Sequence, residues 1–250
     1  MYEDDEPVEE AQPEEQPAGL DIKKLRKALS LAIDRERIVS EITVSGQIPA
    51  ARPLPPSLFG APLPPLLTAF DPEEARALFE EGLKEIGADI DKFETLTLYY
   101  KPAQADKRLA QVLQREWKKT LGFTIQIEQL EPKTHLDRLH RRDFQIALGA
   151  WISQFHDPIN ILERYRLPQN QKNYAGWENA QYSALLEQAA VEIDSVKRFK
   201  LLMQAEELFA EELPVAPLYH WASPSLANPR LKEIASTPSG GILFERFSVE

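Results

Sequence analysis

The chain has 250 residues, no cysteine and a formal net charge of −11. The missing cysteines exclude disulfide bonds, cysteine nucleophiles and thiolate metal sites, and no stretch approaches the roughly 18 consecutive apolar residues of a membrane helix. Residues 1–20 hold eight acidic and no basic residues, so residues 21–250 carry a net charge of only −3 and offer no basic surface for nucleic acid.

Residues 1–20 are predicted to form a disordered acidic tail. Like charges repel one another there, three prolines interrupt the segment, and large apolar side chains are few. The same residues show no basic start followed by an apolar run, so no signal peptide is visible in this chain. The alternative to a solvated tail is a regulatory acidic arm.

The next two segments are predicted to be a helix and a proline-rich strap. A helix from Asp21 to about Ser40 would start at the Asp21 cap and bury an apolar face. Ile48 to Pro65 contains seven prolines, which remove backbone donors and favour extended conformations. Apolar residues between those prolines favour an ordered strap lying against the core, and a linker between two domains is the alternative.

A strand–helix–strand unit follows a well-marked helix. Asp71-Pro72-Glu73-Glu74 starts that helix with a cap, a first-turn proline and two acids, and Gly87 ends it. Alternation predicts strands at Thr95–Tyr100 and Phe123–Leu130, with a helix at Asp106–Leu121 between them. Two strands joined in this way are expected to be parallel, with a right-handed crossover.

The stretch from Phe144 to Arg164 is predicted to build the functional edge of the sheet. The apolar run Phe144–Leu148 reads as a buried strand that opens through Gly149 and Ala150 onto Trp151. Polar residues follow before Pro158, and ligand crevices of open α/β sheets lie at such carboxyl ends. The alternative is that Trp151 is a core aromatic and the polar run an ordinary turn.

Helices dominate the remaining sequence. A short basic helix is predicted at Pro132 to Arg142, one follows Pro158, and two more follow at Asn179–Ile193 and from the Asp194 cap to about Leu213. Extended runs are predicted at Val215–Trp221 and Ile242–Phe247. The overall fold class is therefore α/β, with a mixed, mostly parallel sheet flanked by helices.

No arrangement of residues predicts an enzyme, a metal site or a cofactor site. His135 and His140 are five residues apart, off the spacing that places two metal ligands on one helical face. His156 beside Asp157, or His220 beside Tyr219, could act in acid–base chemistry, but no nucleophile with an orienting partner accompanies either pair. Aromatic rings with a few polar groups suit binding.

The chain resembles the carboxyl-terminal half of the extracytoplasmic solute-binding proteins of the oligopeptide/dipeptide ABC transporter class. The resemblance covers roughly residues 22–235 in the family's order. Its pieces are Leu25–Arg35, Asp71–Ala75, the strand into Trp151 with His156-Asp157-Pro158, Tyr182–Ala189, Arg198–Glu207 and Leu213–Tyr219.

The resemblance implies an α/β solute-binding lobe at residues 21–235 and a periplasmic or other extracytoplasmic location. Two lobes of such proteins close on a ligand by a hinge motion and deliver it to a membrane ABC permease. Family members are about twice this length, and residues 236–250 resemble the segment that crosses back to the opposing lobe. The implied partners are a peptide or other small solute and the permease, with no nucleic acid.

Binding would centre on the edge of the sheet, with ligand contacts from Gly149, Ala150, Trp151, Gln154, Asp157 and Tyr219. The main chain at Gly149 and Ala150 could hydrogen-bond to an extended ligand. Peptide-binding members carry an Asp three residues after the Trp, where this chain has Gln154, and a neutral amide gives up a charge-assisted bond to an α-ammonium.

Two other functions remain open at this point. A truncated interaction module would keep the fold and pair with a partner chain that supplies the other lobe. A hydrolase would use His156 and Asp157.

Overall fold

The computed structural model describes residues 20–60, 62–91, 96–222, 224, 226–232, 234–235 and 241–249. The predicted tail at residues 1–20 therefore lies outside the described residues except for its last position, and so does the first part of the predicted carboxyl-terminal segment, at residues 236–240. Within the described part, no helix is long and apolar enough to cross a membrane.

The helices and strands alternate as expected for an α/β protein. The helices are α1 (Lys23–Leu31), α2 (Arg35–Arg37, continued by a π-helical turn at Ile38–Thr43), α3 (Pro72–Ile86), α4 (Gln104–Leu121), α5 (Pro132–Arg141), α6 (Ile159–Leu162), α7 (Ala180–Val191) and α8 (Ser195–Glu212). The strands are β1 (Ile48–Pro49), β2 (Thr97–Tyr100), β3 (Gln126–Gln129), β4 (Ile146–Ala147), β5 (Tyr219–His220), β6 (Leu231–Lys232) and β7 (Ser248–Val249). The α/β class is confirmed.

A three-stranded parallel sheet of order β3-β2-β4 organises the first core. The parallel pairing of β2 with β3 confirms the predicted strand–helix–strand unit. The central strand β2 is buried, and α1, α3 and α4 cover the sheet with a continuous apolar cluster. The Phe144–Leu148 run contains strand β4, as predicted, but the prediction that this strand is buried is wrong, because β4 pairs on one side only and its residues are half-buried.

The predicted helix from Asp21 to Ser40 is also wrong in its extent and its cap. Helix α1 starts after Ile22 without any side-chain cap and stops at Leu31. Asp34 then caps a second helical segment by accepting a hydrogen bond from the backbone N–H of Arg37. The break inserts Arg35 into the core, where its guanidinium donates to Ser30 and to the Pro217 carbonyl.

The proline-rich strap packs against a second core built by α7 and α8. Leu54 and Leu58 are buried in that core, as the prediction of an ordered strap requires. Arg52, on the same strap, is 2 % exposed and forms an ion pair of 2.6 Å with Glu206 of α8. Strand β1, which begins the strap, pairs antiparallel with β5.

The last predicted strand, Ile242–Phe247, is wrong. Phe244–Arg246 forms a turn of 3-10 helix, and the ladder with β6 begins only at Ser248. The apolar run is not a buried strand, since Phe244 is 71 % exposed and packs its ring on Phe247 at the surface.

Candidate ligand-binding site

The carboxyl end of β4 presents free main chain to the surface. The N–H of Leu148 donates to the Tyr99 carbonyl at 2.9 Å, which is the last bond of the ladder with β2. Gly149 and Ala150 are exposed beyond it, and among the described residues neither makes a main-chain hydrogen bond. A Cβ added to Gly149 would meet open space, so an extended ligand could approach this backbone closely.

The indole of Trp151 lies half-buried directly after this free backbone. Its Nε1 donates to Oδ1 of Asn160 at 3.4 Å. Two cations lie against its ring: the Arg164 guanidinium at 4.5 Å from the ring centroid and the Lys172 ammonium at 4.9 Å. Trp151 is therefore not enclosed by aliphatic side chains, as the alternative of a core aromatic would require.

Arg164 is held under Trp151 by aromatic rings rather than by acids. Its guanidinium lies 4.8 Å from the ring centroid of Tyr174 and 5.6 Å from that of Tyr165. Its Nε donates to the main-chain carbonyl of Lys172. Only 9 % of the residue is exposed, so this cation is held in one orientation beside the Trp151 ring.

Asn160 fixes the shape of the loop after Trp151. Its Oδ1 accepts hydrogen bonds from the Trp151 indole, the Ser153 hydroxyl at 3.2 Å and the Gln154 N–H at 3.1 Å. These bonds tie the loop to the first turn of α6. The Gln154 side chain remains exposed, so its amide can reach a ligand.

The carboxylate of Asp157 is bound by other residues of the protein. Both carboxylate oxygens accept hydrogen bonds from Arg198 of α8, at 2.7 and 3.0 Å, and one also caps the N–H of Ile159. Burial by itself would raise the pKa of Asp157, but the hydrogen bonds from Arg198 and Ile159 and the charge of Arg198 lower it. Asp157 therefore joins the loop to α8.

Tyr219 lies in β5, which pairs with β1 and does not belong to the sheet that contains β4. It pairs with Pro49 and packs against the first core. Burial raises its pKa, and the nearby carboxylate of Asp106, at the start of α4, raises it further. Within the described part of the chain, no hydrogen bond or ring contact joins Tyr219 to Trp151.

The histidines do not converge on the Trp151 loop as a reactive centre. His156 is exposed, and the carboxylate of the adjacent Asp157 is bound by Arg198. Burial lowers the pKa of His135 and of His220. No group of three or more His, Asp or Glu in the described residues is placed to hold a metal ion.

The sequence did not reveal four residues that shape this site: Asn160, Arg164, Lys172 and Arg198. Their individual positions look like ordinary polar helix and loop positions. The structure also has a groove of about 450 Å³ between α7 and α8, lined by residues such as Gln181, Gln204 and Glu207. That groove does not include Trp151.

Comparison with known proteins places these features in a family. Residues 14–173 match the family model described as "Bacterial extracellular solute-binding proteins, family 5 Middle". The chain is 35 % identical over 231 residues to the oligopeptide-binding protein OppA of Bacillus subtilis, and 31 % identical over 224 residues to the dipeptide-binding protein DppE of the same organism. The two alignments include 90 % and 87 % of this chain.

The chain spans 42 % and 41 % of the length of those two relatives. Among solved structures, a periplasmic oligopeptide-binding protein from Borrelia burgdorferi superposes with a TM-score of 0.73 at 27 % identity. That superposition covers 80 % of this chain and 39 % of the other. The fold described above is thus similar to one part of a longer binding protein.

Proposed function

Since the chain belongs to the bacterial extracellular solute-binding proteins of family 5, we propose that it is the solute-binding component, or one lobe of that component, of an ABC-type importer for peptides or peptide-like ligands. The names of its relatives, which bind oligopeptides and dipeptides, support this ligand class. The proposal makes the chain a binding protein and not an enzyme. Its partners are the solute and a membrane ABC permease, and its location is extracytoplasmic.

The ligand would lie at the carboxyl edge of the parallel sheet. The free main chain of Gly149 and Ala150 would hydrogen-bond to an extended peptide as an added strand does, and the Trp151 ring would cover one of its side chains. Gln154 would offer a neutral amide. Asp157 would act by holding the loop on α8, and Tyr219 would contribute only to a ligand long enough to reach β5.

One observation carries this proposal: a half-exposed indole follows two residues with unpaired backbone at the end of a strand. Unpaired main chain at an edge is a template for another strand. An aromatic ring with a fixed hydrogen bond from its Nε1 is a rigid surface, so little conformational entropy is lost when a ligand packs on it.

The proposal can be tested with the substitution Trp151→Phe. Native mass spectrometry of the purified chain would first show any retained ligand, and extended tetrapeptides would then be titrated while tryptophan fluorescence is recorded. We expect the wild-type emission to change on binding and the change to be largely absent from Trp151→Phe. Trp221→Phe is the matched control, since Trp221 directly follows β5 and is 64 % exposed.

An unchanged fluorescence response in Trp151→Phe, with a bound peptide confirmed by mass spectrometry, would remove this loop from the site. Absence of binding by every peptide would argue against the ligand class itself.

A second candidate function, the interaction module, is favoured by the apolar residues exposed near β5, β6 and β7. Trp221, Leu226 and Phe244 are 64 %, 105 % and 71 % exposed. Large exposed apolar groups in one part of a chain are typical of an interface. Analytical ultracentrifugation separates the two functions, because a monomer over the micromolar range argues against obligate pairing with a second copy or partner.

A further inference from the structure

Two cations beside Trp151 lack an acidic partner. Three other arginines are paired with carboxylates: Arg52 with Glu206, Arg166 with Glu163 and Arg198 with Asp157. The buried Arg35 has no carboxylate partner in the described chain, but its terminal nitrogens donate to Ser30. Among the described residues, no carboxylate lies within ion-pairing distance of Arg164 or Lys172. Both charges lie within 5 Å of the same ring centroid, so the surface next to Trp151 carries uncompensated positive charge.

The burial of Arg164 makes this arrangement informative. Only its Nε is used within the described chain, in the bond to the Lys172 carbonyl. Its two terminal nitrogens engage no acceptor in the described residues. Neither terminal nitrogen is among the enclosed side-chain atoms that lack a partner, so both reach the surface, where a ligand can approach them. A guanidinium presents its terminal N–H groups in a fork that fits a carboxylate. The aromatic rings of Trp151, Tyr165 and Tyr174 stabilise the cation without using those donors.

The loop has no acid available to attract a cationic ligand group. Gln154 is neutral, and both oxygens of Asp157 accept hydrogen bonds from Arg198. The charges that lie directly against the Trp151 ring are therefore those of Arg164 and Lys172, and both are positive.

We propose that the Trp151 surface selects a ligand with a carboxylate, and that Arg164 and Lys172 hold this group. The inference rests on the proposed function and names its ligand as an acidic peptide. The carboxylate could come from a glutamate or aspartate side chain, or from the peptide's carboxyl terminus. Lys172, which is exposed, would supply a point charge, and Arg164 would supply the oriented donors.

Matched peptides test this selectivity. Isothermal titration calorimetry at low ionic strength would compare Ala-Ala-Glu-Ala with Ala-Ala-Gln-Ala, each with a free and an amidated carboxyl terminus. A charge-assisted hydrogen bond corresponds to about tenfold or more in affinity. We expect an affinity difference of that size in one of two comparisons. A difference between the Glu and Gln peptides assigns the bound carboxylate to the side chain, and a difference between free acid and amide assigns it to the carboxyl terminus.

Variants test whether the affinity difference between the matched peptides depends on Arg164 and Lys172. Lys172→Gln should reduce it to about threefold, and Arg164→Lys should also reduce it, because a lysine keeps the charge but loses the fork. Lys119→Gln is the matched control: Lys119 is an exposed lysine in the last turn of α4, outside the Trp151 loop, and its loss should leave the affinity difference unchanged. Circular dichroism would confirm that each variant is folded.

Equal affinity for all four peptides would overturn the carboxylate proposal and leave the proposed function standing. An affinity difference that survives Lys172→Gln and Arg164→Lys undiminished would likewise overturn the assignment to these residues. If no peptide binds, the proposed function fails, and the inference that rests on it fails with it.

Discussion

Two buried arginines, Arg52 in the strap and Arg164 below Trp151, differ in what surrounds their charge. Arg52 donates to Glu206 and to the Pro64 carbonyl, and Glu206 also accepts from the Leu54 N–H. Arg164 has three aromatic rings and one carbonyl, with no carboxylate partner in the described part of the chain. A carboxylate of the protein pairs with the Arg52 charge, although the buried Arg52 Nε has no hydrogen-bond partner. Arg164 has no carboxylate among the described residues and keeps its terminal donors for a ligand.

This difference separates a structural from a functional use of the same residue type. The Arg52–Glu206 pair fastens the strap to α8, and Glu206 is fully buried. Removing one member of a buried ion pair strongly destabilises the fold, since the other charge is then buried and uncompensated. Arg164 already lacks a carboxylate, so its removal should affect binding more than folding.

The largest expected effect comes from breaking the strap pair. Glu206→Gln should lower the free energy of unfolding by about 3 kcal/mol or more, because Arg52 would remain buried with its charge unpaired. Urea denaturation followed by circular dichroism measures this change. The double variant Arg52→Met/Glu206→Leu should be less destabilised than Glu206→Gln, and a double variant that is equally destabilised would show that packing rather than charge pairing holds the strap.

The second effect sharpens the contrast at Arg164. Arg164→Met keeps an apolar stem against the rings and removes the charge, so the free energy of unfolding should change by no more than about 1.5 kcal/mol, the size of one hydrogen bond. Affinity for the preferred acidic peptide should fall about tenfold in calorimetry. A loss of stability as large as that of Glu206→Gln, with peptide affinity intact in the folded fraction, would make Arg164 a structural residue like Arg52.

The smallest expected effect is a dependence of stability on pH, caused by His220 in β5, the strand that pairs with the start of the strap. Burial lowers the pKa of His220 below its ordinary value of 6.5, despite the opposing hydrogen bond with the Arg52 backbone. As the pH falls through about 6.5, the unfolded chain takes up a proton that the folded chain does not, so stability decreases toward lower pH. His135 adds to this slope, since its pKa is also lowered by burial.

Thermal unfolding between pH 7.5 and pH 5 measures that slope. His220→Asn should make it shallower than in the wild type. An equally steep slope in the variant would mean that His220 does not contribute to it.

The sequence predicts local features of this fold well and distant pairings poorly. Asp71, Asn179 and Asp194 cap their helices through side-chain bonds to nearby N–H groups, and such short-range chemistry is readable from the residue order. Arg52 and Glu206 are 154 positions apart, and only the folded chain brings them together. The same limit hid Asn160 and Arg198 as supports of the Trp151 loop.

The place of β4 within the sheet could not be predicted from the sequence pattern either. The run at Phe144–Leu148 is as apolar as a central strand, but its place in the sheet depends on which strands pair. In the structure β2 is the central strand and β4 lies at the edge. Trp151 could be selected from the sequence because it follows that run. Arg164 could not, since its burial results from the packing of Tyr165 and Tyr174 around it.

Nuclear magnetic resonance of the tryptophan indole N–H groups tests the central claim most directly. Trp151 would be assigned by the signal missing from Trp151→Phe, and Ala-Ala-Glu-Ala would be titrated into the ¹⁵N-labelled chain. We expect a saturable shift of the Trp151 signal, while the signal of Trp117, which is buried and donates to the Leu29 carbonyl, stays in place. A peptide that binds and leaves the Trp151 signal unmoved would contradict that claim.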